Sequence, residues 1–211
     1  MSRGRFITFE GGEGAGKSTQ LKRLAARLSA EGRPVVTTRE PGGSPGAESI
    51  RSLVLNGAAD RWSPVTETLL MYAARRDHLE RVIRPALDRG DWVVCDRFAD
   101  STRAYQGAAG GTDPALIDAL ERCVLEDVRP DLTLVFDLPP EMGLARAQAR
   151  AGAEMRFESK GLAFHERLRA AFRAIAAAEP DRCVLIDAAA PMDEVEAACW
   201  RAVSGRLAAH G

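Results

Sequence analysis

The residues Gly11 to Ser18 read GGEGAGKS, with Gly11, Gly16, Lys17 and Ser18 at the spacing glycine, four residues, glycine, lysine, serine. Glycines so placed let the backbone wrap an anion with its N–H groups. The lysine then reaches the β- and γ-phosphates, and the serine hydroxyl is offered to Mg²⁺. The apolar run Phe6 to Glu10 precedes this segment, and Leu21, Leu24, Ala25 and Leu28 follow it at helical spacing. The loop therefore joins a strand to a helix, the context that turns the pattern into a phosphate-binding P-loop and that a chance glycine turn would lack. Gly11, Gly12, Glu13, Gly14, Ala15, Gly16, Lys17, Ser18 and Thr19 are the expected ATP contacts. The loop alone names no reaction, since GTPases, ATPases and kinases share it. A guanine-reading N-K-x-D motif is missing: the single asparagine, Asn56, is followed by glycine.

A second phosphate centre is implied by Asp96-Arg97, which closes the apolar run Trp92 to Asp96. Side chains at that strand end project where open α/β sheets bind ligands. Asp96 can hold Mg²⁺ directly or through water, and Arg97 can grip a phosphate with its planar fork, although a structural ion pair would look the same. Arg39-Glu40-Pro41-Gly42-Gly43 closes another apolar run, and Arg51 follows near a helix start. A hydrolase needs one phosphate site and water, whereas a phosphotransferase holds donor and acceptor phosphates together. The arginine supply favours transfer.

These residues must be positioned by a framework, and the chain alternates short apolar runs with longer helical patterns throughout. Strands are expected at Phe6 to Glu10, Pro34 to Arg39, Trp92 to Asp96, Leu132 to Asp137 and Cys183 to Asp187, each apolar enough to be buried on both faces. That predicts an α/β fold, a five-stranded parallel sheet flanked by helices. Ser63-Pro64, Asp113-Pro114 and Pro140-Glu141 mark helix starts, and Gly32 and Gly90 mark helix ends. Gln148 to Lys160 holds Arg150 and Arg156, a glycine and no apolar period, and is expected to be a short mobile loop.

With 211 residues, 45% of them hydrophobic, and no linker-like stretch, a single domain spanning 1–211 is expected. Lys plus Arg number 29 against 30 acidic residues, so no basic excess points to nucleic acid or an anionic membrane. The four cysteines match neither a metal pattern nor a disulfide framework and read as buried free thiols. MSRGRFITFEGG enters a strand within a few residues and no apolar run approaches the ~20 residues of a membrane span, so a cytoplasmic location is expected.

Taken together, GGEGAGKS, REPGG (Arg39 to Gly43) and DRFADSTRAYQG (Asp96 to Gly107) resemble the bacterial thymidylate kinases, as does RPDLTLVFDLPPEMGLARA (Arg129 to Ala147). The resemblance runs along nearly the whole chain. It implies the three-layer nucleoside monophosphate kinase fold with a lid near 148–160, ATP and dTMP as substrates, Mg²⁺, and a homodimer, for which the stretch Glu67 to Tyr72 could supply an interface helix. By position it makes Arg39 and Arg97 ligands of the acceptor phosphate and places Glu13 near the acceptor ribose and phosphate. Arg75 contacts a thymine carbonyl, Arg51 lines the same pocket, Ser101 and Gln106 touch the pyrimidine, Tyr105 lies against the sugar, and Pro41 sits near the base methyl. Where relatives stack thymine on phenylalanine this chain has Met71 and then Tyr72. Successive helical side chains diverge by about 100°, so the two cannot face the base equally, and which one does stays open. Because the P-loop lacks arginine, the resemblance assigns catalytic cations to Arg150 and Arg156, joining Lys17, Arg97 and Glu13, and adenine stacking to Arg146. His78, His165 and His210 share no ligand spacing, and Glu121, Glu126 and Asp127 read as a solvated acidic face. A kinase for dUMP or dCMP is the nearest alternative; a P-loop switch or motor would not need Arg39, Arg51, Arg75 and Arg97 around a second pocket.

Overall fold

The computed structural model describes residues 3–58, 60–149, 157 and 159–207. The chain runs β1 (Phe6–Gly11), α1 (Lys17–Ala30), β2 (Val35–Arg39), α2 (Pro45–Leu55), α3 (Pro64–His78), α4 (Arg84–Asp88), β3 (Trp92–Asp96), α5 (Ala99–Thr102), α6 (Pro114–Leu125), β4 (Leu132–Asp137), α7 (Pro140–Gln148), α8 (Leu162–Ala178), β5 (Cys183–Asp187) and α9 (Met192–Leu207). The five strands form one parallel sheet in the order β2-β3-β1-β4-β5. The expected strands stand, two of them shifted by one residue at an end.

Alternation along the strands builds the layers. Ile7 and Phe9 of β1 join Leu21, Leu24 and Leu28 of α1 and Val195, Cys199 and Val203 of α9 on one face. Phe6 points the other way, into Tyr72, Leu79, Ile83, Leu87, Ile117 and Leu125. The fully buried character expected of every strand holds for β1, β3 and β4 but not at the edges: β2 and β5 expose alternate residues because each has a neighbour on one side only.

Prolines start α3, α6 and α7 as expected; Ser63 Oγ accepts the Thr66 N–H and an Asp113 carboxylate oxygen the Ala115 N–H. Two π turns escape sequence reading. Leu79–Ile83 links α3 to α4 just before Pro85, which lacks the N–H a continuous α-ladder would use, and Arg103–Ala108 continues α5. Two surface readings are corrected. Cys123 is exposed while the other three cysteines are buried. Glu121 is buried, gripped by both ends of the Arg103 fork at 2.8 and 2.7 Å, whereas Glu126 pairs with Arg76 and Arg84 and Asp127 with Arg84 at the surface.

Register decides where chemistry can happen. Phe9 lies opposite Asp96, Arg39 opposite Asp96, and Gly11 opposite Phe136. The P-loop, the Asp96-Arg97 corner and the Arg39 segment thus leave the carboxyl edge of the sheet side by side.

Candidate active site

The P-loop turns at Gly14, whose φ of 68° favours glycine and whose added Cβ would sit 2.0 Å from the Gly143 carbonyl. Lys17 opens α1, is buried, and donates Nζ to the carbonyls of Gly11 at 3.1 Å and Gly12 at 2.7 Å. Burial, joined by the nearby Arg97 charge, pushes its ammonium down to about 8 against the pull of Asp96, Glu13 and Glu10. Ser18 donates Oγ to Asp96 Oδ2 at 2.6 Å. No cluster of three or more His, Cys, Asp or Glu suited to a metal occurs among the described residues. One hydroxyl and one carboxylate still fit Mg²⁺, which takes few protein ligands and keeps phosphates and water.

Arg97 holds φ 73°, a left-handed conformation that costs a non-glycine residue about 1 kcal/mol or more. Surrounding contacts fix it. Its N–H donates to Phe9 O at 2.9 Å, and Nη1 donates to Gly11 O at 2.8 Å and Ser101 Oγ at 3.2 Å. Its guanidinium lies 4.9 Å over the Tyr105 ring, and Nη2 stands 3.5 Å from Glu13. Burial opposes the charge, yet Tyr105, Glu13, Asp96 and Glu10 raise its pKa above the ordinary arginine value.

Glu13 accepts the Tyr105 hydroxyl on Oε1, and His165 Nδ1 from α8 faces Oε2 at 3.5 Å, an ion-pair distance too long and unaligned for a hydrogen bond. Burial would raise this carboxyl, but His165, Arg97, Tyr105 and Lys17 together hold it at about 2. Behind them, fully buried Glu10 accepts from the N–H of Phe98 at 2.7 Å and from the N–H and Oγ of Ser101 at 3.3 and 2.6 Å. It ties β1 to the turn that aims Arg97.

A cavity of about 320 Å³ opens beside the P-loop. It gathers Glu13, Lys17, Ser18, Asp96 and Arg97 at one end, and Arg39, Pro41, Arg51, Met71, Arg75, Ser101, Tyr105 and Gln106 around the rest. Arg51 donates to the Pro41 carbonyl at 2.7 Å, and Arg39 lies 3.1 Å from Glu48. Arg75 is the most constrained of the set. Nε donates to Glu40 at 2.8 Å, and Nη2 to Phe98 O at 3.0 Å and Thr102 Oγ1 at 2.9 Å; buried Nη1 has no hydrogen-bond partner among the described residues. Glu40 is itself held by His78 Nδ1 at 3.0 Å, and His78 meets Thr38 at 2.7 Å.

Tyr72 is not brought to this cavity. Met71 lines it, while Tyr72 is buried in the core against Phe98 and Leu79, since the two side chains leave α3 about 100° apart. On the other side of the P-loop a second cavity, of about 530 Å³, is lined by Thr19, Gln20, Arg146 and Ala188 to Met192. Arg146 donates to Ala188 O there at 3.2 Å. Gly14, Ala15 and Gly16 line both cavities. Arg150 and Arg156, with most of the expected lid, lie outside the described residues, as does His210.

Sequence reasoning missed Glu10, Glu40, Glu67, His78 and His165, the side chains that orient the site, and Phe98 and Phe157, which line the acceptor cavity. Glu40 could have been found, because it lies inside REPGG next to Arg39. So could Phe98, which lies inside DRFADSTRAYQG next to Arg97; the others carry no local pattern.

A five-stranded parallel sheet with a P-loop at its central strand and an arginine-lined cavity beside it defines a P-loop phosphotransferase of the nucleoside monophosphate kinase class. The family model described as thymidylate kinase matches residues 9–199. This chain belongs to the thymidylate kinase family. It is 69% identical to the curated thymidylate kinase of Caulobacter vibrioides, covering 98% of this chain and 99% of the relative, and 58% identical to that of Bradyrhizobium diazoefficiens, covering 97% and 91%. A crystal structure of thymidylate kinase from Ehrlichia chaffeensis superposes with a TM-score of 0.76 at 36% identity, covering 94% of this chain and 98% of that one.

Proposed function

We propose that the chain transfers the γ-phosphoryl group of ATP to dTMP, giving dTDP and ADP, in the formation of dTTP. The observation that carries this reading is the unpartnered Nη1 of Arg75, a buried donor in a cavity that shares its P-loop wall with a second cavity. A guanidinium only donates, so Nη1 would donate to a thymine or uracil O4 and would repel the cytosine amino group. Gln106 and Ser101 would complete the pyrimidine edge, Tyr105 would lie against the sugar, Met71 would cover the base, and Pro41 and Arg51 would close the pocket.

Phosphoryl transfer asks little covalent chemistry of a protein; it asks for alignment and positive charge. Lys17 and the P-loop N–H groups would hold the β- and γ-phosphates, while Arg97 and Arg39 fix the acceptor phosphate in line. Glu13, held ionised by its neighbours, would orient Arg97 and the acceptor. Ser18 and Asp96 would hold Mg²⁺, whose charge offsets that of the phosphates. Arg146, beside the second cavity, would stack on adenine, and Arg150 and Arg156 would bring cations to the transition state, an effect of ~10³-fold or more per arginine in related chemistry.

A homodimer is proposed on the family resemblance and on Val65 and Leu69, apolar residues of α3 each 46% exposed. No described helix is long and apolar enough to cross a membrane, and a cytoplasmic location is proposed. The test is ADP release from Mg-ATP with dTMP, dUMP, dCMP, UMP, AMP or no acceptor. We expect dTMP to be preferred and the acceptor-free rate to be negligible. Equal turnover without acceptor would remove the kinase reading.

A further inference from the structure

An amide side chain carries a donor at one end and an acceptor at the other, so whatever it binds behind decides what it shows in front. Gln106 is 2% exposed, sits in the π turn Arg103–Ala108 and lines the acceptor cavity. Its Nε2 donates to Glu67 Oε1 at 2.8 Å. Glu67 is 6% exposed in the first turns of α3. Counting by fours from it reaches Met71 and then Arg75, so these three share the helix face that looks toward the cavity. Glu67 itself stands behind Gln106, away from the cavity lining. A carboxylate only accepts hydrogen bonds, so the amide nitrogen must face Glu67. Among the described residues none donates a hydrogen bond to the side-chain oxygen of Gln106, Oε1, which is left to the cavity.

We propose that Glu67 is a specificity-determining positioning residue: by locking the Gln106 amide it presents a carbonyl acceptor to the base and selects a pyrimidine that carries an N3–H. The inference rests on the dTMP reading above and adds to it the origin of discrimination against cytosine. Arg75 Nη1 offers a donor and Gln106 Oε1 an acceptor, a pair that matches the O4 and N3–H of thymine or uracil. Cytosine presents the inverse, an amino group at C4 and an acceptor at N3, so both contacts fail. The C5 methyl is untouched by this pair, so dTMP and dUMP should respond alike when Glu67 is altered.

Glu67→Gln tests the idea, because an amide behind Gln106 tolerates either orientation and lets its nitrogen turn to the base. The expected result is a fall of about tenfold or more in the ratio of kcat/KM for dTMP over dCMP, the scale on which sites built to hydrogen-bond a substrate discriminate. It should be carried mainly by a higher KM for dTMP and dUMP, with kcat for dTMP within about threefold. An equal loss for dTMP, dUMP and dCMP, or an unchanged ratio, would overturn the proposal. The exchanged pair, Glu67→Gln with Gln106→Glu, keeps the same atoms and charge and again turns an acceptor toward the base. It should regain the dTMP preference and decides the matter should Glu67→Gln fail to fold; loss of preference in the exchanged pair counts against the proposal. In the unaltered protein N3-methyl-dTMP, which has no N3–H, should be used at least about tenfold less well than dTMP, and equal use would also overturn it. If the unaltered protein phosphorylates none of these pyrimidine monophosphates, the dTMP reading itself falls, a result separate from any change in ratio.

Discussion

Glu10 and Glu13 stand three residues apart and have opposite electrostatic fates. Glu13 is ringed by cationic and hydroxyl partners that outweigh its burial and hold it at about 2, so the stability it contributes is present above its unfolded value of 4.5 and is lost as pH falls toward 2. Glu10 is pushed up to about 8, chiefly by burial and next by Asp100, against the opposing effects of Ser101, Arg97 and the Phe98 N–H. A raised carboxyl acts with the other sign: folding is unhindered below 4.5, and stability declines as pH rises from there to about 8, above which both states are ionised and the decline ends. Glu10→Gln copies the neutral form, since the amide oxygen can take the Phe98 and Ser101 N–H groups while Nε2 meets Ser101 Oγ. We therefore expect the melting temperature of this variant, relative to the natural protein, to climb steadily between pH 5 and pH 8.5. A constant difference across that range, measured by thermal denaturation in matched buffers, would show that Glu10 does not titrate there.

At the scale of elements, the P-loop and α7 meet backbone to backbone. A Cβ on Gly143 would lie 2.5 Å from the Glu13 carbonyl, and backbone cannot swing aside as a flexible side chain can. Gly143→Ala should push α7 off the loop, costing about 1–3 kcal/mol as overpacking does. That is roughly 2–4 °C of melting temperature per kcal/mol for a protein of this size. KM for ATP should rise with it, because Gly14 to Gly16 border the second cavity. Gly205 is the control. It lies in α9 with nothing within 4 Å of an added Cβ, so Gly205→Ala should stabilise by about 0.5–1 kcal/mol and leave kinetics unchanged. Differential scanning fluorimetry and initial rates read both variants.

The same elements show what a sequence can display. Proline-started helices, apolar strands and the P-loop are written in neighbouring residues, so the starts of α3, α6 and α7 and all five strands were legible to within a residue, whereas the break of the Pro64 helix at His78, well before Gly90, was not. Arg97 and Gln106 were legible because both sit inside DRFADSTRAYQG, and Arg75 by its position in the family resemblance. Their orienting partners were not. Glu67 reaches Gln106 39 residues along the chain, and His165 reaches Glu13 across the sheet from α8, contacts that exist only once the layers have packed. Glu121 misled for the same reason: its acidic neighbours Glu126 and Asp127 are solvated, and only folding brings Arg103 over it. Met71 and Tyr72 could be separated only by knowing which way α3 rolls on the sheet.

At the scale of the whole molecule, the two cavities lie on opposite sides of one loop and, among the described residues, share only Gly14, Ala15 and Gly16, with Lys17 and Ser18 lining the one proposed for the acceptor. Donor and acceptor phosphates can then meet at the P-loop without a covalent relay through the protein. Common phospho-carriers are poorly placed: Cys95, Cys183 and Cys199 are buried, Cys123 is on an outer helix, and neither His78 nor His165 lines either cavity. Asp96 does line the cavity proposed for the acceptor, but it accepts the Ser18 hydroxyl and is proposed above as a holder of Mg²⁺. Direct in-line transfer within a ternary complex is the reaction this geometry permits. Double-reciprocal plots of rate against ATP at several dTMP concentrations should therefore intersect, and a chiral γ-thiophosphate should emerge inverted. Parallel lines, net retention, or label carried onto the protein by γ-labelled ATP alone would require a phosphorylated side chain, and Asp96 would be the first to test.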